Sequence, residues 1–266
     1  YQAPIGATID AIARAGYGGI APWRREIDGG DVTAIARHIR DAGLAVSGYC
    51  RSTYIPAHER QEFLANIADN RRALDQAATL GAACFVMVVG SLPAGSRDLP
   101  AAWAQVEEGT ALLLDYARSV GVRLALEPLH PMYANDRSCL NTIEQALDIA
   151  DRVEPPSLAA PQLGLAVDLY HVWWDPKLGQ GIARAGAGGR IFAFHVSDWL
   201  VPTRDLLTDR GMMGDGVIDI PRLRRMVEDT GYDGAVEVEI FSDRDWWRRP
   251  IDETLDVSAE RLQTVC

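Results

Sequence analysis

One unit recurs along this 266-residue chain: an amphipathic helix, a glycine, and a short run of β-branched and apolar residues. It reads first as Ile12–Ala15, Gly16 and Gly19–Trp23, then as Ile35–Ala42, Gly43 and Ala45–Tyr49. Leu74–Leu80, Gly81 and Cys84–Val89 follow, then Leu112–Val120, Gly121 and Arg123–Leu126, and finally Leu223–Thr230, Gly231 and Ala235–Ile240. A glycine just past a helix end supplies the left-handed conformation that closes the helix. The near-continuous apolar run after it is what a strand covered on both faces looks like. Leu163–Leu169 and Ile191–Val196 extend the series to seven predicted strands, near residues 20, 47, 87, 125, 166, 193 and 238.

Helix starts agree with this reading. Asn141-Thr142-Ile143-Glu144 has capping-box spacing, and Asp219 precedes Ile220-Pro221, with proline in the first turn. Strands alternating with helices imply a parallel sheet, and a closed (β/α)8 TIM barrel is the commonest α/β use of this length. No Pro/Gly/Ser-rich linker divides the chain, so residues 1–266 are read as a single domain. The chain opens on a helix, which leads us to expect a first strand upstream of Tyr1.

Charge and composition narrow the function. With 26 Lys+Arg against 37 Asp+Glu the net charge is −11, and a surface that tracks phosphate backbones needs clustered cations. Nucleic acid is therefore not an expected partner, although a local arginine can still hold a small anion. No apolar run reaches the roughly 18–20 residues of a membrane span. Cys50, Cys84, Cys139 and Cys266 share no CxxC spacing and read as reduced thiols, which places the expected protein in the cytoplasm.

In a barrel of this kind chemistry gathers at the carboxyl ends of the strands. Four successive predicted strands end in a residue able to bind a divalent cation: Glu127, Asp168, His195 and Glu239. Any one of them alone would read as a helix cap or an ion-pair partner. Together they put three carboxylates and an imidazole at one barrel mouth, too repulsive to stay uncompensated. Hard oxygen donors with one nitrogen point to one divalent ion, Mn²⁺ first and Mg²⁺ or Co²⁺ next, with Zn²⁺ less favoured. Glu237 competes with Glu239, since alternation points both to one side; Glu239 lies nearer the carboxyl edge and is preferred.

At Leu126-Glu127-Pro128-Leu129, Val167-Asp168-Leu169-Tyr170-His171, Phe194-His195-Val196-Ser197-Asp198 and Val238-Glu239-Ile240-Phe241 the chain resembles the sugar isomerase/epimerase superfamily of xylose isomerase-like barrels. Ketose 3-epimerases, hydroxypyruvate isomerases, inosose dehydratases and, remotely, endonuclease IV belong to it. The resemblance implies that Glu127, Asp168, His195 and Glu239 hold one metal ion. It also implies that Glu127 and Glu239 act as the acid/base pair on opposite faces of the substrate. His171 and Arg210 match the positions that hold substrate hydroxyls in ketose epimerases; the plain alternative for Arg210 is a surface charge on a mobile loop. His130 and Tyr133 stand where those epimerases carry a polar residue and a glutamate, so the substrate-facing wall differs. Trp23, Trp173, Trp174, Trp199, Trp246 and Trp247 lie near strand ends, where they stack on sugar rings or pack the barrel rim. Trp23 and His130 join the expected substrate-binding residues.

The chemistry implied is removal of a proton α to a carbonyl through a metal-stabilised enediolate, giving an epimerase or isomerase of a sugar or sugar phosphate. The alternative is a dehydratase or lyase on a keto-sugar, keto-glycoside or cyclitol, with His130 or His171 as the acid. A non-catalytic binding barrel is a remoter reading, and phosphodiester cleavage is disfavoured by the five histidines and the acidic charge. A small sugar or keto-sugar is the expected partner, no membrane is, and a homo-oligomer stays open.

Overall fold

The computed structural model describes residues 3–155 and 160–266. Helix α1 (Ile5–Arg14) leads into β1 (Gly19–Ile20), and α2 (Arg24–Ile27) and α3 (Val32–Asp41) lead into β2 (Ala45–Val46) and β3 (Tyr49–Cys50). The long helices α4 (Arg60–Leu80) and α5 (Leu99–Val120) precede β4 (Cys84–Met87) and β5 (Arg123–Leu126) respectively. Then come α6 (Ile143–Val153), β6 (Leu163–Asp168), α7 (Leu169–Val172), α8 (Leu178–Ala187) and β7 (Ile191–Val196). The chain ends through β8 (Asp198–Trp199), β9 (Arg210–Gly211), α9 (Ile220–Glu228), β10 (Val236–Val238) and α10 (Ile251–Thr264).

Six strands form one curled parallel sheet in the order β10-β7-β6-β5-β4-β3, and β1 pairs in parallel with β2. Every one of the seven strands expected from sequence is present; the second is split, with β2 facing β1 and β3 facing β4. The fold is a TIM barrel. All five glycines of the repeat (Gly16, Gly43, Gly81, Gly121 and Gly231) have φ between 71° and 86°, as the helix-closing role requires. Apolar residues of the strands and of the inner helix faces, among them Phe85, Leu124, Leu165 and Phe194, form one fully buried core.

Two expectations change. The capping box sits one residue later than read: Thr142 accepts from the Gln145 amide, while Gln145 Oε1 accepts from the amides of Asn141 and Thr142. The Asn141 side-chain amide instead donates to the Leu129 and Ser138 carbonyls. An antiparallel pair, β8 with β9, interrupts the barrel repeat and puts Arg210 on a strand rather than on a mobile loop. The strand expected ahead of Tyr1 lies outside the described residues. Among those described, β10 pairs only with β7 and β1 only with β2, and a cleft lined by α1, β1, β10 and α10 lies between these edges.

Candidate metal centre and active-site cleft

The carboxyl ends of β5, β6, β7 and β10 position the site. Glu127 continues β5, its amide donating to the Met87 carbonyl at 3.0 Å, and Glu239 continues β10 with its amide on the Val196 carbonyl at 3.1 Å. Asp168 closes β6 directly beside His195 of β7 in the sheet register. Asp168 also caps α7, accepting the Tyr170 amide at 2.8 Å. One donor atom from each of Glu127, Asp168, His195 and Glu239 lies within 4.8 Å of the others. Donors around a shared divalent ion at about 2.0–2.3 Å stand at most roughly 4.5 Å apart, so shifts of a few tenths of an ångström close the set. This donor set fits a divalent cation, and it is made up of the four residues read from sequence. Glu237, one register position below, turns its Oε2 to within 3.9 Å of His195 Nε2 and stays outside the cluster.

The electrostatics follow from burial. Glu127, Asp168 and His195 are all buried, and loss of water pushes the Asp168 carboxyl up to about 6, against the opposing field of Arg210. Burial opposes charge on His195. The hydrogen bond from its Nδ1 to Glu127 Oε1 (3.1 Å) and the fields of Glu237, Glu127 and Glu239 outweigh it and hold its pKa well above the ordinary value. His171 is the reverse case: burial, then Arg210, keep its ring neutral.

Arg210 is the internal counter-ion. It is 3% exposed on β9, so it is no mobile surface charge. Its Nη1 donates to Asp168 Oδ2 and to Glu239 Oε2, each at 3.0 Å. Its Nη2 lies 3.1 Å from His171 Nε2. The guanidinium is sandwiched between the rings of Tyr170 and Phe241, 4.3 and 4.8 Å from their centroids. Asp198 fixes the loop that follows, accepting amides from Trp199 (2.8 Å), Gly214 (3.0 Å), Gly216 (2.8 Å) and Ile218 (3.0 Å).

A cleft opens onto this centre. Glu127, Glu239, His171, Arg210 and Trp23 line it, as does Tyr133. His130 does not: its ring stacks on Trp199 at 4.8 Å and meets Trp174 edge-on at 5.6 Å, and its Nδ1 accepts the Met132 amide. Its backbone amide instead steadies the site, donating to His171 Nδ1 at 3.3 Å. Of the seven tryptophans only Trp23 lines the cleft; Trp173 and Trp199 pack on one another. Sequence reading passed over Arg51, Tyr54 and Arg137, which also line the cleft. Arg51 directly follows β3, so the strand-end rule applied to that strand would have found it.

A family model described as the xylose isomerase-like TIM barrel matches residues 9–263. The chain belongs to that family. This xylose isomerase-like barrel is similar to an inosose isomerase of Bacillus velezensis, at 28% identity over 158 residues, covering 58% of this chain and 51% of that protein. It is similar to a 3-dehydroshikimate dehydratase of Pseudomonas putida, at 24% identity over 247 residues, covering 88% of this chain and 36% of that one. The chain thus matches about half the length of the first relative and about a third of the second. Among solved structures, protein SMc04130 of Sinorhizobium meliloti 1021 superposes with a TM-score of 0.95 at 49% identity, over 100% of this chain and 94% of that one. The IOLI protein, solved with a zinc atom, shares the fold at 18% identity and a TM-score of 0.81, over 99% of this chain and 93% of that one.

Proposed function

We propose that this xylose isomerase-like barrel is a divalent-metal-dependent isomerase or epimerase of a small sugar or keto-sugar. The supporting observation is that Glu127 and Glu239 both offer an oxygen to the metal cluster and both line the cleft. An ion held by Glu127, Asp168, His195 and Glu239 would supply positive charge against a substrate carbonyl and the negative charge that develops when its α-proton leaves. Mn²⁺ suits this oxygen-rich set best. Glu127 removes the α-proton, and Glu239 returns one from the opposite face for an epimer; return to the neighbouring carbon gives an isomer. His171, neutral and anchored by the His130 amide, and Arg210 orient the substrate hydroxyls. Trp23 covers the apolar side of the sugar.

Elimination is the second reading. It is favoured by the dehydratase among the relatives; the hydroxyl would leave as water with the proton that Glu127 had removed, and the neutral His171 ring on the cleft wall would hydrogen-bond it. The deciding experiment incubates Mn²⁺-loaded protein with keto-sugars and cyclitols in D₂O and follows them by NMR. Deuterium should enter at the carbon α to the carbonyl, and Glu127→Gln should slow that exchange by roughly 10²-fold or more. Unchanged exchange in Glu127→Gln removes it from the base role, and departure of water from the substrate selects elimination.

A further inference from the structure

Two cations on the cleft wall are not used by the chemistry above. Arg51 lies with its guanidinium 4.7 Å over the Tyr54 ring, and its only side-chain hydrogen bond among the described residues runs from Nη1 to the Ser52 carbonyl at 3.3 Å. No described carboxylate lies within 4.0 Å of it. Arg137 lies 5.4 Å over the Tyr133 ring; its nearest acid is the exposed Asp136 at 3.8 Å, and its buried Nε has no hydrogen-bond partner.

Both arginines belong to one wall. Tyr54 and Tyr133 pack in a single apolar cluster around Val88 and Leu129. The loop after β4 ties the two loops that carry them: the Ile55 amide donates to the Val89 carbonyl at 2.8 Å, and Gly90 bridges to Ser138. Gly90 is where the wall tightens: at φ 94° a Cβ there would stand 2.6 Å from Tyr54 Cβ. Stacking on rigid aromatic platforms keeps the guanidinium edges, with their forked N–H donors, free for a planar or tetrahedral oxyanion. Arg210 cannot take that role, because Asp168 and Glu239 already engage it. In a chain of net charge −11 such a local pair of cations also draws anions into the cleft.

We propose that the substrate carries an oxyanion, a carboxylate or a phosphate, and that Arg51 and Arg137 bind it while the keto end reaches Glu127 and Glu239. This deepens the functional reading above and rests on it for the position of the keto end. The test uses three ketohexoses that differ only at C6: D-fructose, D-fructuronate and D-fructose 6-phosphate. Binding to the Mn²⁺-loaded protein is followed by titration calorimetry at low salt. At least one anionic ketose should bind on the order of tenfold to a hundredfold more tightly than D-fructose, and the tighter of the two identifies the group. Arg51→Gln and Arg137→Gln should each remove most of that preference with metal content unchanged, and Arg51→Lys should keep part of it. Equal binding of all three, no binding of either anion, or a preference that survives both glutamine variants overturns the proposal. Deuterium exchange on the same samples separates the two ideas. Exchange without anion preference sinks this inference alone; an arginine-dependent preference without exchange on any sugar sinks the acid–base reading.

Discussion

Arg210 shows how a single side chain sets the state of the site. With Asp168 and Glu239 both on its Nη1, it neutralises part of a cluster that burial would otherwise drive apart. Arg210→Ala should therefore cost the metal-free protein about 3 kcal/mol in urea unfolding, since a buried carboxylate loses its cation. The same variant in Mn²⁺-loaded form should bind substrate more weakly while keeping its metal. Asp168→Asn and His195→Ala should behave in the opposite way, losing the ion itself, as elemental analysis after dialysis would show. Asp198 acts one step removed, with four backbone amides on one carboxylate. Asp198→Ala should cost about 3 kcal/mol and loosen the loop after Arg210, visible as faster hydrogen exchange at Gly214 and Gly216.

At the scale of elements, the contact between β6 and β7 tolerates no added atom at Gly164, where a Cβ would stand 2.4 Å from the Arg190 carbonyl oxygen. Gly164→Ala should destabilise the protein by about 1–3 kcal/mol in a denaturant titration. The junction of α2, β3 and α4 depends instead on charge. Asp69 of α4 accepts from Arg24 of α2 at 2.9 Å, from Arg72 at 2.6 Å and from Thr53 just after β3. The hydrogen bond from Arg24 is the main cause that holds the Asp69 carboxyl down to about 2, against an ordinary value of 3.8. A depressed acid stabilises the fold above its unfolded pKa, and that gain disappears as pH falls from about 4 through about 2. Asp69→Asn should therefore cost about 1 kcal/mol at pH 7 and almost nothing at pH 2, in paired urea titrations. Elements of this kind differ in how plainly the sequence announces them. The seven barrel strands are legible because each is an apolar run, five of them after a glycine that ends the preceding helix. Strands β8 and β9, two residues each, carry no period at all. The four candidate metal donors are legible because each stands at or just past the carboxyl end of a strand. Arg51, next after β3, is open to the same rule, but Arg137 is not, because a cation in a loop takes its meaning from the tyrosine under it and from a partner wall distant in the chain. His130 misleads for the same reason: its ring is claimed by Trp199 and Trp174.

For the molecule as a whole, the barrel is a rigid cup with acid at its floor and basic groups along one side, so ligands with a negative tail and a keto head would enter in one orientation. The β1–β2 pair and the six-stranded sheet hold that cup from different parts of the chain, while α1 and α10 flank the cleft between β1 and β10. The guanidinium that bridges Asp168 and Glu239 has a consequence for the life of the protein without its ion. Proteins whose acidic ligands have no built-in substitute unravel when a chelator takes the metal. Here a resident cation stands ready to fill the electrical gap, so stripping the ion should leave near-ultraviolet circular dichroism and cooperative melting intact, and re-dialysis against Mn²⁺ should restore full occupancy. Such a chain could wait empty through metal scarcity and resume work when supply returns.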